Sequence, residues 1–265
     1  MRYICDNDLH IHSGLSLCSN DPEQTPERIL AYARENNLKT VCLTDHFWDE
    51  TVPGASEWYS KQDYAWITKA KPLPRYDGIR FLYGCETDMD RFCTVGVAKE
   101  HFDRFDFVVI PTTHLHMGGF TITGEDGSTA EGRADAWVKR LDALLGMDLP
   151  FHKIGIAHLA CPLIWKRSRE DYLRVLDCIP QEEMVRLFTK AAALGVGIEL
   201  NSGDFGFSDG DADTVLRIFR TAKACGCKFY LASDAHDPDG LDNAKERFER
   251  AITLLELEET DKFVL

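Results

Sequence analysis

Two histidines stand two residues apart near the start of the chain, in the stretch Asp8-Leu9-His10-Ile11-His12. The pattern predicts the end of a first β-strand, and alternate residues of a strand point to the same face. Both imidazoles are therefore expected to face the same way. Neutral imidazole is a common metal ligand, and a strand holds two of them at a fixed separation. Taken alone, His-x-His is only a weak indication of a metal site, because many surface strands carry it.

The ends of later predicted strands repeat this feature. They carry Thr44-Asp45-His46, Cys85-Glu86-Thr87-Asp88, Thr113-His114-Leu115-His116, Ala157-His158-Leu159 and Ser233-Asp234-Ala235-His236. A single histidine after a strand is usually a hydrogen-bonded loop residue. In an α/β barrel, however, the carboxyl ends of all strands open on one face, where their side chains converge. The repetition at one topological position therefore predicts a metal site.

Short β runs alternate with longer amphipathic helices along the whole chain, a pattern typical of parallel strands with helical crossovers. The seven predicted strands end near His12 or span 39–44, 79–86, 105–113, 153–157, 197–200 and 228–233. Helices are expected from Thr25-Pro26 onward and over 134–145, 181–194, 212–225 and 241–257. With no linker or repeat between them, these units predict one domain, 1–265, folded as a closed or nearly closed barrel. A doubly wound open sheet is the alternative, because periodicity alone does not separate the two.

The composition restricts the possible partners. The chain has 265 residues, a hydrophobic fraction of 44% and a formal net charge of -14. This charge argues against a stable nucleic-acid partner held through its phosphates and against docking on an anionic membrane. An anionic small substrate remains compatible with it, because a metal cluster reverses the local potential.

The cysteines and the opening residues bear on the compartment. Nine cysteines are scattered along the chain, and several lie inside predicted strands and helices. The first residues turn polar at once and do not resemble a secretory leader. These features favour a cytoplasmic location, where most thiols act as small buried hydrophobic groups.

The ordered set His10-x-His12, Asp45-His46, Glu86, His114, His158 and Asp234-Ala235-His236 resembles the polymerase and histidinol phosphatase (PHP) superfamily over essentially the whole chain. The resemblance implies a distorted seven-stranded (β/α)7 TIM-like barrel that binds up to three divalent metals and hydrolyses phosphoesters. It also implies the ligands: His10, His12, Glu86 and Asp234 for a first metal, Glu86, His114 and His158 for a second, and His46 and His236, with Asp234 as a further bridge, for a third.

This ligand set suits the implied chemistry. Neighbouring metals generate hydroxide near neutral pH and neutralise charge on phosphoryl oxygens, and mixed histidine and carboxylate ligation is compatible with Zn, Mn or Fe. The chain departs from histidinol-phosphatase-like members at one point. Cys18 occupies the place where those members often have a further histidine ligand. A thiolate ligand and a plain loop thiol are both compatible with Cys18.

The main expectation is a metal-dependent phosphoesterase that hydrolyses a small phosphomonoester, such as histidinol phosphate, with a metal-activated hydroxide. His236 or Asp45 is expected to protonate the leaving alkoxide, as is a metal-bound water. Arg167, just past the fifth strand, is expected to contact the phosphate, although a solvated charge before a helix explains it as well. Asn201, at the end of the sixth strand, is expected either to bind substrate or to form a turn.

Three alternatives remain open at this level. A C–N hydrolase of the amidohydrolase type also opens with His-x-His, but it commonly bridges two metals with a modified lysine after the fourth strand, where this chain has Thr113-His114. A nucleotide or oligonucleotide phosphodiesterase is disfavoured by the acidic charge. A metal-binding module without catalysis would be expected to have lost ligands, and here nearly all are present.

Overall fold

The computed structural model describes residues 1–265, which form eight β-strands and seven α-helices joined by loops and short 3₁₀ turns. The strands are β1 (Asn7–Ile11), β2 (Thr40–Leu43), β3 (His46–Phe47), β4 (Arg80–Thr87), β5 (Phe107–Pro111), β6 (Ile154–Ala157), β7 (Gly197–Asn201) and β8 (Lys228–Ala232). The helices are α1 (Pro26–Glu35), α2 (Tyr64–Ile67), α3 (Ala130–Leu145), α4 (Arg169–Cys178), α5 (Gln181–Leu194), α6 (Ala212–Ala224) and α7 (Pro238–Leu254).

The strands form one parallel sheet in the order β1-β2-β4-β5-β6-β7-β8, with β3 paired to β4. The first and last strands then meet. The backbone N–H of Asp234 donates to the His10 carbonyl at 2.7 Å, and that of His12 donates to the Ala235 carbonyl at 3.0 Å. The sheet is therefore a nearly closed barrel of the TIM-like kind, as predicted, and the open doubly wound alternative is wrong.

Side chains complete the seam between β1 and β8. The Asn7 side-chain oxygen accepts from the Leu231 N–H at 3.0 Å, and Asp8 Oδ1 accepts from the Ser233 N–H at 2.9 Å. Buried backbone donors need such partners, and here β1 supplies them with side chains instead of its own carbonyls. Asp8 thus serves closure of the barrel.

All seven predicted strands are present, and the eighth, β3, was missed. A two-residue strand is too short to show any periodicity. Its position matters, because its register with β4 sets His46 opposite Glu86. The helix α2 was missed, and α4 was expected after Arg167 only without bounds. The helix α7 begins earlier than predicted because Asp237 caps it by accepting from the Gly240 N–H.

Two helix ends follow directly from the sequence. Thr25 caps α1 by accepting a hydrogen bond from the Arg28 N–H, with Pro26 in the first turn, as predicted. Gly195 ends α5 in the left-handed conformation with φ of 72°, which glycine adopts without strain.

No helix combines the length and the apolar character needed to cross a membrane. All nine cysteines are free thiols.

The core has two parts. A large apolar cluster packs the helices on the outside of the barrel, and a smaller one fills its interior. The interior cluster is built from strand residues such as Leu9, Phe107 and Tyr230, together with Phe263 near the C-terminus. The packed interior leaves the carboxyl ends of the strands as the place for a site, since the barrel is not a pore.

Replacing Gly155 with alanine is expected to destabilise the barrel by about 1–3 kcal/mol, the usual cost of overpacking. An added Cβ would lie 2.4 Å from Tyr230 Oη and 2.5 Å from Phe107 Cζ, inside the packed interior. Urea unfolding measures the effect. Gly210→Ala is the matched control, because no atom lies within 4 Å of its added Cβ. Equal unfolding midpoints for the two variants would show that the interior is not tightly packed.

Candidate metal centre

The carboxyl ends of the strands bring eight metal-capable side chains together, all of them nominated by the sequence. Three overlapping groups have ligand atoms within 4.8 Å of one another: His10, His12, Glu86 and Asp234; Glu86, His114 and His158; and His12, His46 and His236. The first two match the sets that the resemblance implied. The third group contains His12, and Asp234 is not part of it.

Glu86 lies at the centre of these groups and is 1% exposed. Its Oε2 faces His46 Nδ1 at 2.9 Å, His12 Nε2 at 3.3 Å and His10 Nε2 at 3.5 Å. Its Oε1 faces His158 Nε2 at 3.4 Å and His114 Nε2 at 3.9 Å. The two oxygens of one carboxylate therefore point to different sets of imidazoles, which is the arrangement of a bridging ligand.

The hydrogen bonds of the opening pair determine where their protons lie. His10 Nδ1 faces the Glu199 carboxylate at 2.8 Å, so Nδ1 carries a hydrogen and Nε2 is the ring atom available to a metal. His12 Nδ1 donates to Ser16 Oγ at 2.8 Å, since that hydroxyl donates onward to Asp45. The two Nε2 atoms then face each other at 3.0 Å, a spacing that either a shared proton or a metal ion bound by both nitrogens satisfies.

The donor set fits divalent metals. Asp234 Oδ1 lies 3.4 Å from His10 Nε2 and 3.2 Å from His12 Nε2. Ligand atoms about 2.1 Å from a tetrahedral ion are about 3.4 Å apart, close to these spacings. His46 Nδ1 is buried and has no hydrogen-bond partner, although it faces Glu86. A buried nitrogen without a partner is costly, and a metal would satisfy it.

The backbone aims these side chains. The pairing of β1 with β2 shifts register between Asp8 and Ile11, and interruptions of regular pairing, such as β-bulges, redirect side chains next to active sites. His158 and Asp234 adopt positive φ of 29° and 54°, which is unfavourable for residues with a Cβ. Strained backbone of this kind clusters at functional sites, because the surrounding structure holds it there.

Glu199 is the main residue whose role sequence reasoning missed. It is fully buried on β7, and its Oε2 accepts from His10 Nδ1–H and from Tyr230 Oη–H, both at 2.8 Å. Its Oε1 accepts from the His158 N–H at 3.1 Å. Such partners fix the tautomer and orientation of metal-binding histidines. The available signal was a carboxylate inside a strand that is otherwise apolar.

Asp88 fixes the tautomer and orientation of His114, as Glu199 does for His10. Its Oδ2 accepts from His114 Nδ1–H at 2.8 Å, and it is held in turn by Tyr59 Oη–H at 3.3 Å and by the Arg140 guanidinium at 3.5 Å. His158 Nδ1 lies 3.0 Å from Thr113 Oγ1. The second group thus also has buried partners behind its imidazoles.

Asp45 does not lie where it could protonate a leaving alkoxide, because it does not line the metal cavity. It is 2% exposed, and its oxygens accept from the Ser13 N–H, Ser13 Oγ–H and Ser16 Oγ–H at 2.7–2.8 Å. This correction makes Asp45 a positioning residue, because Ser16 links it to His12.

Of the two roles expected for Asn201, substrate binding or a turn, its contacts fit the turn. It is 3% exposed, and its side-chain N–H groups donate to Glu199 Oε1 at 2.8 Å and Asp234 Oδ2 at 3.2 Å. Its side-chain oxygen accepts from the Gly203 N–H at 2.8 Å. With its donors and its acceptor engaged by the protein, Asn201 is positioned to orient Asp234.

Arg167 does not line the metal cavity, and its surroundings fit a solvated charge before a helix, the second of its two expected roles, and not a phosphate contact. Its exposed guanidinium pairs with Asp171 at 3.5 Å, and it does not line the cavity at the metal-capable residues. Lys166, the preceding residue, lines that cavity instead. The charge run was identified in the sequence, but the side of the loop on which each residue lies could not be read from it.

Cys18 lies on the cavity wall and belongs to none of the three groups. Cys18 is exposed as a residue, but the enclosure of its thiol by the cavity wall and the carboxylates of Glu86 and Asp234 raise the pKa of that thiol to about 12, which opposes a thiolate in the absence of metal. The structure therefore offers His12, His46 and His236 for the third group without a sulfur ligand.

Burial and neighbouring charges act in opposite directions on the pKa values of Glu86 and His10. Burial favours the neutral carboxyl of Glu86, but the imidazoles of His46 and His10 hold its pKa well below the usual range. Burial likewise disfavours the charged form of His10, yet the carboxylates of Glu199, Asp234 and Glu86 raise its pKa well above the usual value. Since imidazoles either hold protons or bind metal, metal affinity is expected to fall as the pH is lowered.

The cavity above these groups has a volume of about 520 Å³. Its wall includes Trp58 and Tyr59 from the segment between β3 and β4, and also Met117, Leu163 and Lys166. The long aromatic segment therefore both covers the site and packs into the fold, since Trp48 is 1% exposed. The cavity combines these apolar side chains with imidazoles, carboxylates and one ammonium group, and its size is typical of a small-molecule site.

Comparison with known proteins gives the family. No protein of curated function matches the chain. One similar solved structure is the histidinol phosphate phosphatase (HISK) from Lactococcus lactis, in complex with zinc, L-histidinol and phosphate. It is 19% identical, with a TM-score of 0.59 and 93% of each chain covered.

Another solved structure, assigned as the histidinol phosphatase hisK from Listeria monocytogenes, is 14% identical with a TM-score of 0.62, covering 89% of this chain and 97% of that one. At these identities the two structures support the fold alone. The sequence profile of the PHP domain matches residues 8–203, most of the chain and all but the last strand of the barrel. The chain therefore belongs to the PHP domain family.

Proposed function

We propose that the chain, a metal-dependent phosphoesterase of the PHP domain family, hydrolyses a small phosphomonoester similar to histidinol phosphate. The observation that carries the proposal is the sharing of Glu86 among converging imidazoles at the mouth of the barrel. The cavity of about 520 Å³ supports a small substrate. The Lactococcus lactis structure, which contains L-histidinol and phosphate, supports the type of ester.

The metals are assigned to the three groups described above, which gives two or three divalent ions, of Zn, Mn or Fe, per chain. When bound, such ions supply a hydroxide nucleophile at neutral pH and neutralise charge on the phosphoryl oxygens. The protein holds the ligand atoms in place through Glu199, Asp88 and the Ser16–Asp45 pair.

His236 acts as a ligand in this proposal and not as the proton donor. Its Nδ1–H donates to the Asp234 carbonyl at 2.8 Å, so Nε2 carries a lone pair. Burial and the neighbouring His12 lower the pKa of His236 to about 4, which keeps the ring neutral. Its ring also stacks on His12 with centroids 4.1 Å apart, which fixes its position within the third group.

Lys166 is the cationic side chain on the cavity wall and is assigned to the phosphate. Lys166→Ala is expected to raise the KM for a phosphomonoester roughly tenfold, the equivalent of one charge-assisted hydrogen bond, with metal content unchanged. Steady-state kinetics and metal analysis measure both. Lys139→Ala, on the exposed face of α3, is the charge-matched control. An unchanged KM in Lys166→Ala would remove this residue from the substrate site.

Phosphate release from a panel of phosphomonoesters that includes histidinol phosphate tests the substrate assignment. We expect turnover of small monoesters and a preference for histidinol phosphate or a near relative. The panel also includes bis(p-nitrophenyl) phosphate as a diester and a short oligonucleotide. Faster hydrolysis of the diesters would overturn the monoester proposal while leaving the phosphoesterase intact.

A further inference from the structure

The metal cavity has an apolar side that no step of the proposed hydrolysis uses. Trp58, Met117 and Leu163, here called the apolar wall, line this cavity together with the metal-capable residues. All three side chains are half-buried, so they present apolar surface to the cavity. The ring centre of Trp58 lies 4.9 Å from that of His46, which belongs to the third metal-capable group. A substrate held at the metals therefore has its leaving group beside this wall.

The part of the apolar wall that carries Trp58 is anchored by buried neighbours. The Trp58 ring packs edge-on against Tyr59, with ring centres 4.8 Å apart, and Tyr59 is fully buried. Tyr59 Oη donates to Asp88 Oδ2 at 3.3 Å. The carbonyl of Gln62, also fully buried, accepts from the Trp48 N–H at 3.0 Å. The wall is thus preformed, and preformed surface needs little ordering when a ligand binds.

The charged groups of the cavity offer no partner to an ammonium ion. The carboxylates on its wall are those of Glu86 and Asp234. Both oxygens of Glu86 face imidazoles. Asp234 Oδ1 faces the imidazoles of the opening pair, and its Oδ2 accepts from Asn201 at 3.2 Å. The remaining side chain with a permanent charge is Lys166, which repels another cation. An ammonium on the leaving group would therefore find no free carboxylate.

We propose that the site selects phosphomonoesters whose alcohol carries a planar or apolar body, which lies against the apolar wall, and that it does not recognise an ammonium group. Burial of apolar area against Trp58, Met117 and Leu163 supplies the selectivity. In histidinol phosphate the imidazole is this body, and the ammonium adds nothing to recognition. The inference rests on the proposed phosphomonoesterase function and names the class of alcohol on which it acts.

Three matched esters separate the two features of the alcohol in the metal-loaded wild-type protein. Phenylalaninol phosphate differs from 3-phenylpropyl phosphate only by its ammonium group, and 2-aminoethyl phosphate has the ammonium without the ring. We expect kcat/KM for 3-phenylpropyl phosphate to equal or exceed that for phenylalaninol phosphate, and that for 2-aminoethyl phosphate to be lower by about tenfold or more. A higher kcat/KM for phenylalaninol phosphate than for 3-phenylpropyl phosphate, or equal values for 2-aminoethyl and 3-phenylpropyl phosphate, would overturn the proposal.

The same assay distinguishes failure of this inference from failure of the proposed function. Hydrolysis of all three esters with a preference for the ammonium compounds would leave the phosphomonoesterase standing and remove only the selectivity proposed here. Hydrolysis of no phosphomonoester at all would overturn the proposed function, and the selectivity with it.

Trp58→Ala locates the selectivity. It is expected to lower kcat/KM for 3-phenylpropyl phosphate by about tenfold or more relative to ethyl phosphate, whose alcohol is too short to need the wall. Leu163→Ala, a second variant, is expected to change this ratio in the same direction. The ratio does not depend on how much metal each variant retains, and bound metal is measured alongside because Trp58 lies beside His46.

Phe92→Ala is the control for loss of an aromatic side chain, because Phe92 is 75% exposed and does not line the cavity. It is expected to keep the wild-type ratio of kcat/KM for 3-phenylpropyl phosphate to that for ethyl phosphate. Thermal unfolding checks that the variants are folded. A wild-type ratio in both Trp58→Ala and Leu163→Ala would contradict the assignment of the apolar wall to the leaving group.

Discussion

Glu86→Gln is expected to lose most of its bound metal and to lower kcat/KM for a phosphomonoester by about a thousandfold or more, corresponding to several kcal/mol of lost transition-state stabilisation. The amide has one oxygen and no charge, so it cannot serve imidazoles on both sides as the carboxylate does at 2.9–3.9 Å. Mass spectrometry of bound metals and a phosphate-release assay measure the two effects.

Glu100→Gln is the control for this experiment, because Glu100 is exposed, belongs to none of the three groups and does not line the metal cavity. It is expected to keep the metal content and kinetics of the wild type. The Glu86 variant should remain folded, since the side-chain shape is kept. Turnover that survives in Glu86→Gln with unaltered metal content would show that the bridging role is wrong.

Glu199→Gln is expected to weaken metal binding and activity by about 10- to 100-fold, the usual effect of removing a partner behind a ligand. An amide no longer holds the hydrogen firmly on His10 Nδ1, and the buried contacts to Tyr230 and His158 are also disturbed. The affinity is measured by competition with a chelator of known strength.

Two further readouts separate positioning from a general loss of structure. Saturating metal is expected to restore most of kcat in Glu199→Gln, because the ligand atoms themselves are still present. Tyr230→Phe removes one donor to Glu199 but keeps the bond to His10, so its metal affinity is expected to change less. A Glu199 variant with wild-type metal affinity and reduced kcat would indicate a different role.

The fold and the convergence of the metal-capable side chains were predictable because both depend on strong local patterns. Strand ends were identifiable from apolar runs that stop at His, Glu or Asp, and parallel topology then places those ends on one rim. This holds for His10 and His12, whose alternation puts their Nε2 atoms 3.0 Å apart. It also holds for Glu86 and Asp234, which come from strands far apart in sequence.

What could not be predicted depends on tertiary contacts. The strand β3 is two residues long, and only its pairing with β4 defines it. The sequence correctly predicted that Asp45 and Asn201 lie near the carboxyl ends of the strands. It did not show that their side-chain oxygens accept hydrogen bonds from Ser13, Ser16 and Gly203. Lys166 lines the metal cavity and Arg167 does not, because the two residues face opposite sides of one loop. Sequence spacing carries no information on which side each residue faces.

The most direct test of the central claim is the metal content of the wild-type protein, purified without chelators and measured by mass spectrometry alongside phosphate release. The account predicts two or three divalent ions per chain, with activity that disappears after chelation and returns when metal is added back. A protein that binds no metal, or that releases phosphate equally well after complete metal removal, would contradict it.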